Sequence, residues 1–490
     1  MKTKRYTRYL RLVLLFAMIA ATATIVAADA PNYGVRAVRI TSLCTAGFPA
    51  TPGLPEVPPP ATVADPNCPT VPTLAASPSG RWSVDISFFD PTTQKFYMAD
   101  RNNFSVDIVD TNTDKIVGAA SGFVGIQPGT NTSGPNGVLT TSFPRQLWAG
   151  DGDGTVKIYP LNSDGVPTTT IPTVVNAGGV RRADEMAFDP DDHMVLVAWD
   201  DDADLFVAFI SVSSTPTVLG TIHIPEALGC GIEQPVYNHS TRRFYLAIPC
   251  TSAVNNANHN TSVHANGEIA VINPFTKAIE NVFPLDGTNC FPHGLTLGPR
   301  QNLLLGCSGD APAGTQMESI IMKATTGAIL QTFTQLGGSD EVWYNIGDNH
   351  YYLAMSSWTT TGLTGGPAKP SLGIINAGSA DTGPGAPSFV QNILTTRTSH
   401  SVAAVYAQKC DNGDDEDSGN GNGNENGHGN GHNSSVRSDN FGGNDNGNHS
   451  GGDCKIVRNR VYVPLTTTNA PFTATNPPES GGFGVYGQIP

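Results

Sequence analysis

Short runs of alternating apolar and polar residues recur along most of this chain, separated by glycine, proline, asparagine and aspartate. The stretch SVDISFFDPTTQKFYMADRNNFSVDIVDTNTDKIVG, which begins at Ser83, contains four such runs. Alternation with a period of two and turn residues between the runs are typical of antiparallel β-strands, and long helical periodicity is nearly absent. The pattern therefore predicts an all-β protein.

The same four-strand pattern recurs at intervals. Further copies contain ADEMAFDPDDHMVLVAW, GIEQPVYNHSTRRFYLAIPC, FPHGLTLGPRQNLLLGC, SDEVWYNIGDNHYYLAM and SHSVAAVYAQ, and a degenerate copy occupies PNGVLTTSFPRQLWAGDGDGTVKIYPL. A period of about 50 residues is typical of the four-stranded blades of a β-propeller. We therefore predict a seven-bladed β-propeller over residues 80–490. If the degenerate copy were an irregular loop, the ring would have six blades.

Each copy carries a polar residue at the start of its first strand, five positions before the turn that ends it. The seven residues at this position are Asp85, Asn136, Asp184, Glu233, His293, Asp340 and His400. Because the first strand of each blade lines the central channel, these side chains should form a ring at one mouth of the channel. Glu185 and Glu341 should point to the opposite strand face, because side chains alternate along a strand.

A family resemblance supports this architecture. The segments FYMADRNNFSVDIVDTNTDKIVG and NRVYVPL resemble the YVTN-type β-propeller repeats of exported and surface proteins, and the resemblance extends roughly from Ser83 to Leu465. It implies a propeller but no particular reaction, because this fold carries binding proteins, hydrolases and lyases alike.

The ring leaves three interpretations open: a structural tie between blades, a binding site, or a catalytic site. Carboxylate oxygens suit Ca²⁺ or Mg²⁺ and imidazole favours Mn²⁺, so Asp184, Glu233 and Asp340 are candidate metal ligands. A metal there could activate water, with His293 or His400 as general base, as in a lactonase-like hydrolase or a lyase. Such a site would resemble that of gluconolactonase- and paraoxonase-type propellers, which hold a metal ion on the propeller axis. Our first hypothesis is a binding scaffold, and the hydrolase or lyase is the alternative.

Two long loops, near residues 251–266 and 356–370, are candidate recognition surfaces beside the ring. In the first loop we expect His259 and His264 to be exposed. The second loop surrounds Trp358 with glycine and threonine.

The last copy lacks a fourth strand at the C-terminal end of the chain. YGVRAVRITS, residues 33–42, should supply that strand and close the ring, which would remove exposed strand edges. The remainder of residues 29–79 is rich in proline and would lead the chain back to the channel.

Eight cysteines and no CxxC motif indicate disulfides in an oxidising compartment. Two predicted pairs join the start of a first strand to the end of the second strand in the same blade, where antiparallel pairing brings them together. The predicted disulfides are Cys230–Cys250, Cys290–Cys307, Cys44–Cys68 and Cys410–Cys454.

Residues 1–28 have the basic head, apolar middle and small-residue end of a secretory signal peptide. Removal of its five basic residues changes the formal charge from −15 to −20, which disfavours binding to nucleic acid and to anionic membranes. No later segment is apolar enough to span a bilayer, so we expect a secreted, periplasmic or extracellular protein without stable membrane insertion. Residues 411–453, rich in glycine, asparagine and acidic residues, should be a disordered insert.

Overall fold

The computed structural model describes residues 33–40, 83–127, 132–200, 204–252, 263–396, 399–410, 454–465 and 482–488. The predicted signal peptide, most of the proline-rich stretch, the insert at 411–453 and residues 253–262 of the first long loop lie outside this part of the chain. So do Cys44, Cys68 and His259.

The described strands form seven four-stranded antiparallel sheets arranged as the blades of a propeller, as predicted. Blades 1 to 4 consist of β2 (Val84–Asp90), β3 (Lys95–Asp100), β4 (Ser105–Asp110), β5 (Lys115–Ser121), β6 (Val138–Ser142), β7 (Arg145–Gly150), β8 (Val156–Pro160), β9 (Thr173–Val175), β10 (Ala183–Asp189), β11 (Met194–Trp199), β12 (Phe206–Ser211), β13 (Val218–His223), β14 (Pro235–Asn238), β15 (Arg243–Ile248), β16 (Glu268–Asn273) and β17 (Ala278–Pro284). Blades 5 to 7 consist of β18 (Pro292–Gly298), β19 (Asn302–Cys307), β20 (Ser319–Lys323), β21 (Ile329–Phe333), β22 (Val342–Asn345), β23 (His350–Met355), β24 (Ser371–Asn376), β25 (Ser388–Leu394), β26 (Ala403–Cys410), β27 (Cys454–Leu465), β28 (Gly482–Gln488) and β1 (Tyr33–Ile40). Short 3₁₀ turns lie at Pro225–Ala227 and Pro299–Gln301 in the described part of the chain.

The degenerate copy folds as a complete blade, because β6 to β9 pair in order as one sheet. This rules out the six-bladed alternative. The seventh blade closes the ring with both ends of the chain: β1 pairs antiparallel with β28, and Tyr33 lies opposite Gln488. The predicted closure by the N-terminal strand is therefore confirmed, and β1 is the outermost strand of the seventh blade.

Asparagine and aspartate at the ends of first strands explain the regular turns. Asp90 ends β2 and accepts hydrogen bonds from the backbone N–H of Thr92 (2.8 Å) and from the hydroxyl of Thr93 (2.8 Å). The fourth turn residue, Gln94, has a positive φ of 54°, which reverses the chain into β3. The same arrangement recurs in several blades, with the cap residues Asp189, Asn238 and Asn345.

The core lies between the blades. Among the described residues, buried apolar side chains form seven clusters, and each cluster joins two neighbouring blades. At the interface of blades 7 and 1, for example, Phe96 stacks on Tyr462 with ring centroids 4.9 Å apart. This packing fixes the angle between blades and therefore the positions of the residues around the channel.

Two of the four predicted disulfides are present in the described residues. Cys230–Cys250 links the segment before β14 to the segment after β15 in blade 4, with a Cα–Cα distance of 5.4 Å. Cys290–Cys307 links the segment before β18 to the end of β19 in blade 5, with a Cα–Cα distance of 4.7 Å. The backbone register also places Cys410 opposite Cys454. The disulfides indicate an oxidising environment.

One expectation for the long loops needs correction. His264 is buried, not exposed, and its Nδ1 lies 2.6 Å from Asp286 Oδ2. Trp358 packs into the core cluster between blades 5 and 6. Its loop is held by a bridge between Thr359 and Ala368, so the indole is not available as a recognition surface.

Within the described ranges, no helix has the length and apolar character needed to cross a membrane.

Candidate functional site

A β-bulge at the start of first strands sets the direction of the ring side chains. In blade 6 the N–H of Asp340 donates to the carbonyl of Ala354 (3.2 Å), and the N–H of Ala354 donates to the carbonyl of Glu341 (3.0 Å). Two successive residues thus lie opposite one, which is the arrangement of a bulge. The register of β10 shifts in the same way between Ala183 and Met186. Each bulge therefore interrupts strict alternation next to a ring residue.

One half of the ring is neutralised by a buried arginine. Arg101 donates to Asp85 and to Asn136 Oδ1 (2.5 Å), and His400 Nε2 lies 2.7 Å from Asp85 Oδ1. Burial by itself would raise the pKa of Asp85, but Arg101, His400 and Arg182 hold it well below its ordinary value. Burial alone would lower the pKa of His400, but the hydrogen bond to Asp85 outweighs this effect, so the pKa of His400 is raised.

Arg182 continues this neutralised half toward blade 3. Its guanidinium lies 2.9 Å from Asp184 Oδ2, 3.5 Å from Asp200 Oδ2 and 3.8 Å from Asp85 Oδ2. Asp184 is fully buried, and burial raises its pKa well above the ordinary range despite the opposing charge of Arg182. Asp184, predicted as a metal ligand, is therefore engaged by the protein's own cation.

The other half of the ring forms the mouth cluster, which we define as Glu233, His293 and Asp340. His293 Nδ1 lies 3.7 Å from Glu233 Oε1 and 3.4 Å from Asp340 Oδ1, and its Nε2 lies 3.2 Å from Asp310 Oδ2. Burial alone would lower the pKa of His293, but these carboxylates raise it well above its ordinary value. Burial raises the pKa of Glu233 to about 7.

The mouth cluster can accept a cation. One ligand atom from each of its three residues lies within 4.8 Å of the others, and the residues come from three consecutive blades. All three side chains are partly exposed, from 13% for Glu233 to 32% for Asp340. The structure thus groups Glu233 and Asp340 with His293, whereas the sequence-based ligand set grouped them with Asp184.

Below the ring, Glu185 and Glu341 meet in the channel, which contradicts the prediction that they point away from it. Their carboxylates and that of Asp340 also lie within 4.8 Å of one another, although Glu185 belongs to blade 3 and Glu341 to blade 6. The bulges beside Asp184 and Asp340 explain the error, since an extra residue in the strand breaks the alternation on which the prediction rested. We call Glu185 and Glu341 the floor pair. Burial, followed by the proximity of other carboxylates, raises the pKa of both groups well above the ordinary range.

Backbone hydrogen bonds at this level join neighbouring blades, as the structural interpretation of the ring expects. The N–H of Gln234 donates to the carbonyl of His293 (3.2 Å), and the N–H of Glu341 donates to that of His400 (2.9 Å). The side chain of Asn136 donates to the carbonyl of Ala183 (3.3 Å). The ring positions therefore contribute to assembly of the propeller as well as to the chemistry of its mouth.

The repeat pattern missed the two arginines of the ring. Arg101 lies in the β3–β4 turn of blade 1 and Arg182 lies just before β10, so neither occupies the repeated position. The sequence contained one signal, because Arg182 stands two residues before Asp184 in a strongly acidic chain. Side chains two residues apart on an extended strand point to the same side of the strand, and a buried carboxylate needs a cation nearby.

No protein-family model matches the chain, and no curated protein matches its sequence. The comparison with solved structures finds matches at low sequence identity. A chain in the crystal structure of the mitotic checkpoint complex is 12% identical with a TM-score of 0.45, and the match covers 72% of this chain and 90% of that one. U3-55K is 10% identical (TM-score 0.45; 66% and 84% covered). The Neurospora crassa Pan2 WD40 domain is 11% identical (TM-score 0.43; 66% and 82% covered).

Proposed function

We propose that this protein is an exported binding scaffold that recognises its ligand at the mouth of the channel, with a divalent cation held by the mouth cluster. The observation that carries the proposal is the contrast between the two halves of the ring. Arg101 and Arg182 compensate the carboxylates of one half. The other half gathers Glu233 and Asp340 around an imidazole that can lose its proton.

The donor set favours a small divalent ion. Two carboxylates and one imidazole suit Mn²⁺, whereas Ca²⁺ and Mg²⁺ prefer oxygen ligands alone. Asp310 is 67% exposed and lies beside His293 Nε2, so it can orient the ring of His293 from outside the first ligand shell. A bound ion would leave coordination positions open toward solvent, where a carboxylate or carbonyl of a ligand can bind.

Export has two independent supports. Residues 1–28 have the composition of a signal peptide. Blades 4 and 5 each contain one disulfide, Cys230–Cys250 and Cys290–Cys307. The resemblance of the repeats to YVTN-type propellers of exported proteins agrees with this placement.

A measurement of Mn²⁺ binding tests the proposed metal site. The purified protein should bind one equivalent of Mn²⁺ by isothermal titration calorimetry, and the Glu233→Gln and Asp340→Asn variants should each lose it. Binding should also release protons, since the metal displaces the proton of His293. His239→Gln is the matched control, because His239 also contacts a carboxylate, Asp191, at 2.6 Å but lies far from the ring in an exposed turn. Absence of binding, or equal binding by all variants that retain the native circular-dichroism spectrum, would exclude the site.

A metal-assisted hydrolase or lyase acting on a small molecule is the second candidate. The contact between His400 Nε2 and Asp85 Oδ1 favours it, because a carboxylate that orients an imidazole is a common arrangement for a general base. Turnover of a lactone or ester that needs Mn²⁺ and is lost in His400→Gln would support this candidate. Turnover that is unchanged in this variant would count against it.

A further inference from the structure

A cavity of about 190 Å³, with more apolar than polar lining, occupies the channel on the inner side of the ring. We call it the inner cavity. Its walls come from the first strands of different blades, and the residues that matter here are Phe88, Val236, Leu297, Trp343, Tyr344 and Ile346. Ile346 lies in the turn after β22, at the end of the channel opposite to the ring, and is 56% exposed. The inner cavity is therefore reached from the face of the propeller that does not carry the ring.

The floor pair closes the inner end of this cavity, and both of its residues are almost completely buried. Gln234 lies beside it and contributes one hydrogen bond to the pair. Its amide donates to Glu341, and its Oε1 accepts from the backbone N–H groups of Leu295 (2.6 Å) and Val342 (3.4 Å). Among the described residues, no donor reaches Glu185 Oε2 or Glu341 Oε1.

At the end of the cavity, one carboxyl oxygen of each floor residue receives no hydrogen bond from a described N–H or O–H group, so a ligand that donates hydrogen bonds would be complementary there. Buried polar groups are nearly always hydrogen-bonded, and an uncompensated buried charge is costly. The arginines of the ring do not meet this need, since Arg101 and Arg182 contact Asp85, Asn136, Asp184 and Asp200. A ligand that donates hydrogen bonds and carries positive charge would be complementary to these oxygens and would stabilise the ionised form of the floor pair.

We propose that the inner cavity binds a small organic ammonium ion, with the nitrogen between Glu185 and Glu341 and the hydrocarbon part against the aromatic walls. An ammonium group has three donors and no acceptor, which matches the floor pair. Phe88 and Trp343 meet edge to face at 5.5 Å in the wall, and aromatic rings attract organic cations as well as apolar groups. A hydrated metal ion would leave these walls without a partner.

The size of the inner cavity agrees with such a ligand. An engineered apolar cavity of about 150 Å³ binds benzene. At about 190 Å³, the inner cavity has room for an aromatic ring plus a short aminoalkyl chain. This site adjoins the mouth cluster at Asp340, whose carboxylate lies within 4.8 Å of both floor carboxylates. The ligand would enter from the opposite face, and the proposal does not depend on the proposed metal site.

Calorimetric titration with 2-phenylethylamine tests the proposal, and 2-phenylethanol serves as its uncharged counterpart. We expect one amine to bind per chain and the alcohol to bind about 10- to 100-fold more weakly, because hydrogen bonds to charged groups are the stronger ones. Glu185→Gln and Glu341→Gln should each weaken amine binding by a similar factor and leave alcohol binding unchanged. Asp310→Asn, at the mouth, is the matched control and should bind the amine as the unaltered protein does.

A second variant keeps the test decisive if the glutamine variants fail to fold. Leu297→Phe places a larger side chain in the cavity wall and should abolish binding of both compounds by filling the space. The proposal is overturned if the amine does not bind, if the alcohol binds equally well, or if Asp310→Asn loses binding while the folded Glu185→Gln variant retains it.

Discussion

Replacement of Arg101 by methionine should destabilise the protein more than any other single change in the ring. Arg101 and Asp85 form an ion pair in which both side chains are nearly inaccessible, at 7% and 2% exposure. Methionine fills a similar volume but removes the charge and the hydrogen bonds to Asp85 and Asn136. Asp85 would then be a buried carboxylate in contact with His400 at 2.7 Å and with Arg182 at 3.8 Å.

The magnitude follows from the burial of the pair. Removal of one partner of a buried ion pair costs about 3–5 kcal/mol, and we expect the lower end here because His400 continues to contact Asp85. The denaturant slope for urea should be about 3 kcal/mol/M or more in a chain of this length, so the unfolding midpoint should fall by about 1 M. Urea unfolding followed by tryptophan fluorescence measures this shift.

A double-mutant cycle separates the loss of charge from the loss of packing. In Asp85→Asn/Arg101→Met the buried charge is gone, so the double variant should be more stable than Arg101→Met alone. Arg242→Met is the control for an exposed pair, since Arg242 is 49% exposed and contacts Asp192 at 2.9 Å. It should leave the midpoint unchanged. The reasoning is refuted if Arg101→Met behaves like Arg242→Met, or if the double variant is the least stable of the set.

Three further predictions concern other parts of the propeller. Burial raises the pKa of Glu268 to about 7, so the stability that its bound proton contributes is complete below about pH 4.5 and is lost as the pH rises through 7. Glu268→Gln should therefore flatten the fall in unfolding free energy between pH 5 and 8. An unchanged pH profile would contradict this. In Gly294→Ala the new Cβ would stand 2.0 Å from the backbone oxygen of Asp340, so the thermal midpoint should drop, and an unchanged midpoint would show that the bulge tolerates a side chain. Replacement of both Cys290 and Cys307 by serine, 17 residues apart, should cost about 3 kcal/mol of unfolding free energy through loss of a chain constraint; equal urea midpoints with and without the disulfide would refute it.

The sequence predicted the architecture because the fold is a repetition. Seven copies of one strand pattern fix the number of blades, and the closing strand follows from counting strands in the last copy. The disulfides of blades 4 and 5 were predictable for the same reason, because antiparallel pairing alone brings Cys230 near Cys250 and Cys290 near Cys307.

The composition of the site was harder to predict, because it depends on features outside the repeat. A bulge shifts alternation by one residue, and nothing in the sequence of β10 or β22 marks it, so Glu185 and Glu341 were assigned to the wrong face. Arg101 enters the ring from a turn, and the repeated position gives no information about turns. His264 was expected to be exposed because it belongs to a long loop, but it is buried and hydrogen-bonded to Asp286.

Anomalous X-ray scattering from crystals grown with Mn²⁺ tests the central claim most directly. We expect one strong peak at the channel mouth, within coordination distance of Glu233, His293 and Asp340. No peak should appear beside Asp85 or Asp184, where arginines already supply the positive charge. Well-diffracting crystals without a peak at the mouth cluster, or with the manganese bound beside Asp184, would contradict it.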